Sequence, residues 1–352
     1  MRAGDPGAQA SGPQVPGPQA PGAAPAGPGR DGVRPGRRRL LVGAAGALAG
    51  LGGAGLLALA RARGLRTASR AGLAFGTTVS LTLAGPDAAA LEAALAEGFA
   101  EIRAVERAAS LFRADSALSR LNREGRLDGA DPHLLALARF ALDLAAASAG
   151  AFDPTVQPLW QAWAEAAARG ARPTPAALAR AGALVDWREV RIDGHSLRLL
   201  RPGAALTLNG IAQGYAADRV MAALARRGVR DALIDTGELG AAGHRADGSA
   251  WRLGIAHPRR ARTLAATVAP FAGFAATSGD YATAFTPDFR HHHIVDPATR
   301  ASPPDLASVT VLAPSGLLAD GLSTAAMVLG ETGARALLAR YSGCSGHFIA
   351  KI

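Results

Sequence analysis

The chain of 352 residues contains one cysteine, Cys344, and one lysine, Lys351. A single cysteine excludes an intrachain disulfide and any metal site built from clustered thiolates. Its position near the C-terminus also excludes it as a lipoprotein anchor. The near absence of lysine leaves almost all cationic work to arginine. Aromatic residues make up 5% of the chain, and no basic block is interleaved with them, so a nucleic-acid footprint is missing. The net charge is +10, of which +4 lies in residues 1–60, where six arginines face Asp5 and Asp31. A remaining excess spread over the body suits an anionic substrate. There is no G-x-S-x-G elbow, no H-E-x-x-H helix, and neither a G-x-G-x-x-G nor a Walker loop. No internal repeat is visible.

What is present begins with a leader. Residues 1–36 are rich in Pro, Gly and Ala without periodicity, and read as disordered. The run "RRRLLVGAAGALAGLGGAGLLALARA" follows. Paired arginines, two leucines and a glycine-softened apolar stretch over 37–62 resemble a twin-arginine export signal. Ala58-Leu59-Ala60 offers a cleavage site. The alternative is an uncleaved membrane anchor, the one membrane contact expected. Either way the body, 63–352, is expected outside the cytoplasm, in the periplasm. A lone cysteine suits that compartment.

The body mixes strands and helices without regular βαβ alternation, which predicts an α+β fold or a mixed sheet. "FGTTVSLTLAG" alternates like a strand up to Gly85. A helix is expected from Asp87 to about Leu111, and another over 132–150 with Gly150 as its C-terminal cap. Thr174 and Pro175 open a further helix. Asp193-Gly194 marks a hairpin, and 214–228 reads as a helix followed by the strand "RDALID". Leu318, Leu322, Ala325, Ala326 and Leu329 give 317–329 a helical period. On that helix Asp320 and Thr324 lie four apart and share a face. They are either a solvated face or two oxygen ligands for a hard cation.

Five stretches combine glycine, small hydroxyl residues and carboxylates. "FRADSALSRLN" has Asp115 or Ser116 in position to cap a helix. "GAFDPTVQPLWQAW" is a turn between apolar helices, with Phe152 and Trp160 able to form an aromatic wall. "LTLNGIAQGYAADRV" runs through a glycine turn into a helix, whose N-terminal amides attract phosphate. "TGELGAAG" is a glycine-rich turn containing Glu238. "ATSGDYATAF" leads on to "HHHIVDPATR", read as preceding a short strand ending at Asp296. Neighbours on a strand point to opposite faces, so at most two of His291, His292 and His293 could share a metal.

Together and in this order, these stretches and "ADGLSTAAMVLG" resemble the ApbE family of FAD:protein FMN transferases, over about 73–340. The resemblance implies an α+β, mixed-sheet fold with helices packed on the sheets and a ligand cleft between two lobes. It implies transfer of FMN from FAD to a threonine hydroxyl of a partner flavoprotein, within a short Ser/Thr- and Gly-containing motif, with release of AMP. Asp320 and Thr324 match the family's magnesium ligands, joined by a backbone carbonyl matching Gly210. FAD, the substrate, is expected against Ala151, Phe152 and Asp153 and against the glycine turn, with Thr207, Gln213, Ser278 and Tyr281 also at the nucleotide. Phe152 and Tyr281 are candidates for flat contact with the flavin. His293 matches the histidine before "I-x-D-P" and is read as the general base, with Asp320 the other catalytic residue. His291 and His292 are read as surface or substrate contacts.

The "GE" turn and the leader look most like the NosX-type branch, whose partners serve nitrous oxide respiration. Three positions depart from the family pattern: Thr207 stands where Asp is usual, Gln213 where Lys is, and Arg300 where Gly is. Thr207 and Gln213 keep one rival open, an FAD-binding carrier with little transfer activity; a second rival is a pyrophosphatase giving FMN and AMP.

Overall fold

The computed structural model describes residues 64–351. The leader and export signal read from the sequence lie outside the described residues. The body opens with a hairpin, β1 (Arg66–Ala74) and β2 (Thr77–Gly85), turning at Phe75 and Gly76 with φ of 51° and 74°. Strand β1 was not foreseen. It is an edge strand, mostly exposed, and so carries no apolar alternation. Asp87 then caps α1 (Ala88–Ala109), its Oδ1 accepting from the Ala89 and Ala90 amides at 2.8 and 3.3 Å. The buried stripe Leu91, Leu95, Ile102 and Val105 follows the helical period. Full burial of each such side chain is worth roughly 1.5–3 kcal/mol.

Next come α2 (Ala117–Glu124), the short β3 (Arg126–Leu127), α3 (Pro132–Ala147), α4 (Gln157–Ala168) and α5 (Pro175–Gly182). After the Ser148 cap of α3 two left-handed residues follow, Ala149 (φ 53°) and Gly150 (φ 86°), and the Gly150 amide donates back to the Ala145 carbonyl at 2.8 Å. The stop read at Gly150 thus begins one residue earlier. Thr174 and Pro175 start α5 as read from the sequence. The hairpin β4 (Val190–Asp193) and β5 (Ser196–Leu199) turns at Gly194, φ 54°. Then follow α6 (Ala212–Arg226), β6 (Asp231–Asp235) and β7 (Leu239–Ala242). The pair β8 (Leu253–Ala256) and β9 (Leu264–Val268) precedes β10 (Gly273–Gly279) and β11 (Leu306–Ala313). The chain closes with α7 (Gly316–Leu338) and β12 (Ser345–Ala350).

The fold is α+β. Its main sheet has 7 strands in the order β1-β2-β6-β7-β10-β11-β12. Every described pairing in it is antiparallel, where the sequence reading had expected mixed directions. Neighbours such as β6 and β7 are joined by tight turns, which only antiparallel strands allow. A single apolar core unites α1, α3, α6 and α7 with this sheet. Helix α7 was expected to end at Leu329. It does break there, at Gly330 (φ 67°, ψ 175°), and a second helical segment not foreseen from the sequence continues to Leu338. Among the described residues no helix is long and apolar enough to cross a membrane.

Candidate functional site

The site is assembled around the 206–210 turn. Asn122 on α2 clamps Leu206 from both sides: its Nδ2 donates to the Leu206 carbonyl, and the Leu206 amide donates to its Oδ1, each at 2.8 Å. The next amide, Thr207, donates to the Pro154 carbonyl at 2.8 Å. Two bonds thus tie the glycine turn to α2, and one ties it to the Phe-Asp-Pro-Thr turn. Helix α6 then begins with no side-chain cap from Ile211. The Gly214 amide in its first turn instead donates to Oδ2 of Asp320 at 3.0 Å. A carboxylate at that place also complements the helix dipole.

That contact requires two helices to touch. A Cβ placed on Gly214 would lie 2.5 Å from the carbonyl carbon of Gly316 and 2.7 Å from Cβ of Asp320. A Cβ on Gly210 would lie 2.8 Å from Oγ1 of Thr324. Of the three residues named as metal ligands, Gly210 thus lies against Thr324, and Asp320, one turn earlier on the same helix, lies against Gly214. Asp320 is 1% exposed, which rules out the solvated face. Ser278 stands behind the group, its hydroxyl 2.9 Å from that of Ser323 and 3.4 Å from that of Thr324. Among the described residues no cluster of three His, Cys, Asp or Glu could hold a metal. One buried carboxylate with a hydroxyl and a carbonyl suits a hard cation that takes its remaining ligands from water and substrate phosphate. The donor set fits magnesium.

Beside this group lies a cavity of about 370 Å³ lined by residues of five segments. Ala151, Phe152, Asp153, Thr207, Gly210, His293 and Thr324, all named from the sequence, line it. Trp160 joins Phe152 there, as the aromatic-wall reading expected. Asp153 is mostly engaged by its own turn. Its Oδ1 accepts from the Thr155 amide (2.8 Å) and hydroxyl (2.6 Å), and its Oδ2 from the Trp187 amide (3.2 Å). Burial pushes its carboxyl above the ordinary range, and these hydrogen bonds pull it back. Asp320, Gln213, Ser278 and Tyr281 are not in the lining. Gln213 donates from Nε2 to the Thr236 carbonyl at 3.0 Å and accepts the Thr236 hydroxyl on its own carbonyl at 2.9 Å. It latches α6 to the 236–238 turn. Tyr281 folds back over Gly279, where a Cβ would meet its ring at 2.5 Å.

The three histidines have different surroundings, although the His292 and His293 rings meet edge to face with centres 6.2 Å apart. His293 faces the cavity, and its amide donates to the Thr283 carbonyl at 2.9 Å. His291 stacks on Trp163 with ring centres 4.5 Å apart. His292 is fully buried, and burial pushes its imidazole down to about 4. Neither lines the cavity; the burial of His292 corrects its reading as a surface contact, while His291 stays partly exposed. The segment is not a strand either: it carries only isolated bridges, Ala284 to His292 and Asp296 to Ala301.

Residues 75–348 match the ApbE family. The chain belongs to the ApbE family. The FAD:protein FMN transferase of Treponema pallidum (strain Nichols) is 34% identical over 327 residues, covering 86% of this chain and 88% of that protein. Its Vibrio cholerae counterpart (serotype O1, strain O395) is 34% identical over 230 residues, 63% of this chain and 69% of that one. Among solved structures, the apo flavinyl transferase ApbE of Pseudomonas stutzeri superposes with a TM-score of 0.71 at 33% identity, covering 82% of this chain and 92% of that one. The Vibrio cholerae flavin transferase ApbE gives 0.71 at 27% identity, covering 82% and 94%.

Sequence reasoning missed the apolar rim. Leu111, Phe112, Val156, Val295 and Val328 also line the cavity, and Phe112 is 68% exposed. An aromatic residue just before the Ser116 cap was the available signal. The Gly214–Gly316 contact was equally silent, since neither glycine has positive φ.

Proposed function

We propose that this enzyme transfers FMN from FAD to a threonine hydroxyl of a partner flavoprotein, releasing AMP, with magnesium held by Asp320, Thr324 and the Gly210 backbone. Flavin transfer itself follows from family membership together with relatives that match across most of the chain. The finer reading is carried by one observation: a buried carboxylate and a hydroxyl, one helical turn apart, set against a glycine turn beside an aromatic-walled cavity. Magnesium bound there would draw charge from the pyrophosphate oxygens and from departing AMP. Phe152 and Trp160 offer the flavin flat apolar contact. His293 takes the proton from the acceptor hydroxyl as its oxygen bonds to the FMN phosphorus. The bond from that phosphorus to the bridging oxygen breaks, and the oxygen leaves with AMP.

We place the enzyme in the periplasm, exported by the twin-arginine route, with a redox partner of nitrous oxide respiration as the NosX-like candidate acceptor. Exchange of Arg37 and Arg38 for Lys is expected to leave the protein in the cytoplasm, and cell fractionation checks this. Undiminished periplasmic protein would sink the route.

A second reading is favoured by Gln213, whose amide is spent on Thr236 and supplies no charge to a phosphate. On that reading the protein carries FAD with little transfer. One assay decides: FAD, magnesium and an acceptor bearing the threonine motif, with wild type and Asp320→Asn. Flavin fluorescence on the acceptor, reduced roughly a hundredfold in the variant and partly restored by extra magnesium, supports transfer. Intact bound FAD means carrier, and free FMN with AMP means pyrophosphatase. Wild-type rate and magnesium dependence in Asp320→Asn would remove Asp320 from the site.

A further inference from the structure

Asp218 lies one turn beyond Gly214 on α6, and so on the same face. Its carboxylate is not aimed at the cavity. It sits over the start of α7, where Oδ1 accepts from the Gly316 amide at 2.6 Å and Oδ2 from the Leu317 amide at 2.9 Å. Oδ2 also accepts the Ser315 hydroxyl at 2.8 Å. Ser315 is the local cap of α7, its own Oγ accepting from the Leu318 amide at 3.3 Å. Asp218 thus completes the cap from another helix, 98 residues away at Gly316. Burial holds its carboxyl above the ordinary range, only partly offset by these three donors.

The lock matters because it sits at the closest approach of the two helices. There they touch through Gly214 and Gly316, which present no side chains of their own to interdigitate. A slide of one residue along α7 is about 1.5 Å, enough to carry Thr324 away from Gly210 and Asp320 away from the Gly214 amide. Directional hydrogen bonds from Asp218 resist such a slide.

We propose that Asp218 is a positioning residue that sets the axial register of α7, and through it the Gly210–Asp320–Thr324 oxygen set that grips a divalent cation. The inference rests on the metal reading given above. It predicts that side-chain length at 218 matters beyond charge. Asp218→Glu keeps the carboxylate but adds a methylene between α6 and α7. Asp218→Asn keeps the shape but replaces an acceptor with a donor.

The test uses the full chain without FAD and Mn²⁺ alone as the probe. Free Mn²⁺ is followed by electron paramagnetic resonance, and each variant's melting temperature is recorded in parallel. Wild type, Asp218→Asn, Asp218→Glu and Asp320→Asn are compared, with Ser315→Ala as a milder variant if either Asp218 substitution fails to fold. Both Asp218 variants, or Ser315→Ala in their place, are expected to raise the Mn²⁺ dissociation constant about tenfold or more, the usual range for groups that orient metal ligands. Wild-type Mn²⁺ affinity in folded Asp218 variants, or in Ser315→Ala where it stands in, with affinity lost in Asp320→Asn, would overturn the role of Asp218 and leave the metal site standing. Equal Mn²⁺ binding by wild type and Asp320→Asn would overturn the metal reading and this proposal with it.

Discussion

Replacing Gly214 with Ala reverses the usual sign of a glycine-to-alanine change in a helix. In an ordinary helix interior the exchange gains about 1 kcal/mol from propensity. Here the added methyl would stand 2.5 Å from the Gly316 carbonyl carbon and 2.7 Å from Cβ of Asp320. Carbon atoms pack at about 3.5–4.0 Å, so α6 and α7 must part by roughly 1 Å. The obstacle is backbone, and no rotamer change relieves it. Overpacking of this kind costs about 1–3 kcal/mol or more, which outweighs the propensity gain. The net expectation is a loss of up to roughly 2 kcal/mol, a fall in melting temperature of up to about 4–8 °C.

Function should suffer more than stability. Parting the helices lengthens the 3.0 Å bond from the Gly214 amide to Asp320 and separates the Gly210 turn from Thr324. Gly210→Ala is the companion variant. The three atoms its methyl would meet first all belong to the Thr324 side chain, the nearest being Oγ1 at 2.8 Å, so it should crowd the hydroxyl with little effect on melting. Thermal unfolding and magnesium titration of flavin transfer on both variants separate the two effects. If Gly214→Ala melts at or above the wild-type temperature with unchanged magnesium dependence, the helix contact is not what assembles the site.

The other expectations concern the histidines. His293→Ala should slow flavin transfer roughly a hundredfold or more, on the scale of a lost general base, with FAD affinity little changed. His291→Ala should act mainly through the Trp163 stack and leave the rate within a few fold; single-turnover transfer rates for the two variants would refute this if their order were reversed. His292 makes stability depend on pH. Its folded value of about 4 lies below the unfolded value near 6.5, so between them only the unfolded chain takes up the proton and stability falls as pH drops. The full span corresponds to roughly 3 kcal/mol by pH 4. Urea unfolding from about pH 7.5 to 4.5 should show a shallower fall in His292→Gln, and identical slopes would remove His292 as the cause.

The main elements were legible because their signals are local. Asp87, Thr174-Pro175 and Gly194 are caps and turns whose chemistry needs no partner from far away, and each sits where the sequence reading put it. Strand β1 failed that test, since an edge strand has little to bury. Asp320 shows the deeper limit. Helical period placed it on one face with Thr324, but period does not say what covers the face. The cover is the start of α6, 106 residues earlier, and it arrives only because two glycines let the helices touch. Arg300 shows the same limit in reverse. The sequence marked it as a departure from the family's glycine, and the structure gives that position φ 60°, a left-handed corner that costs a side chain about 1–2 kcal/mol. The side chain lies across Gly182, where a Cβ would meet its Nε at 2.5 Å, and the Arg300 carbonyl accepts from Trp163 at 3.0 Å. That corner is outside the cavity lining, so its strain bears on the stability of the loop after His293. Thr207 lies within the lining, and among the three departures it alone faces the cavity.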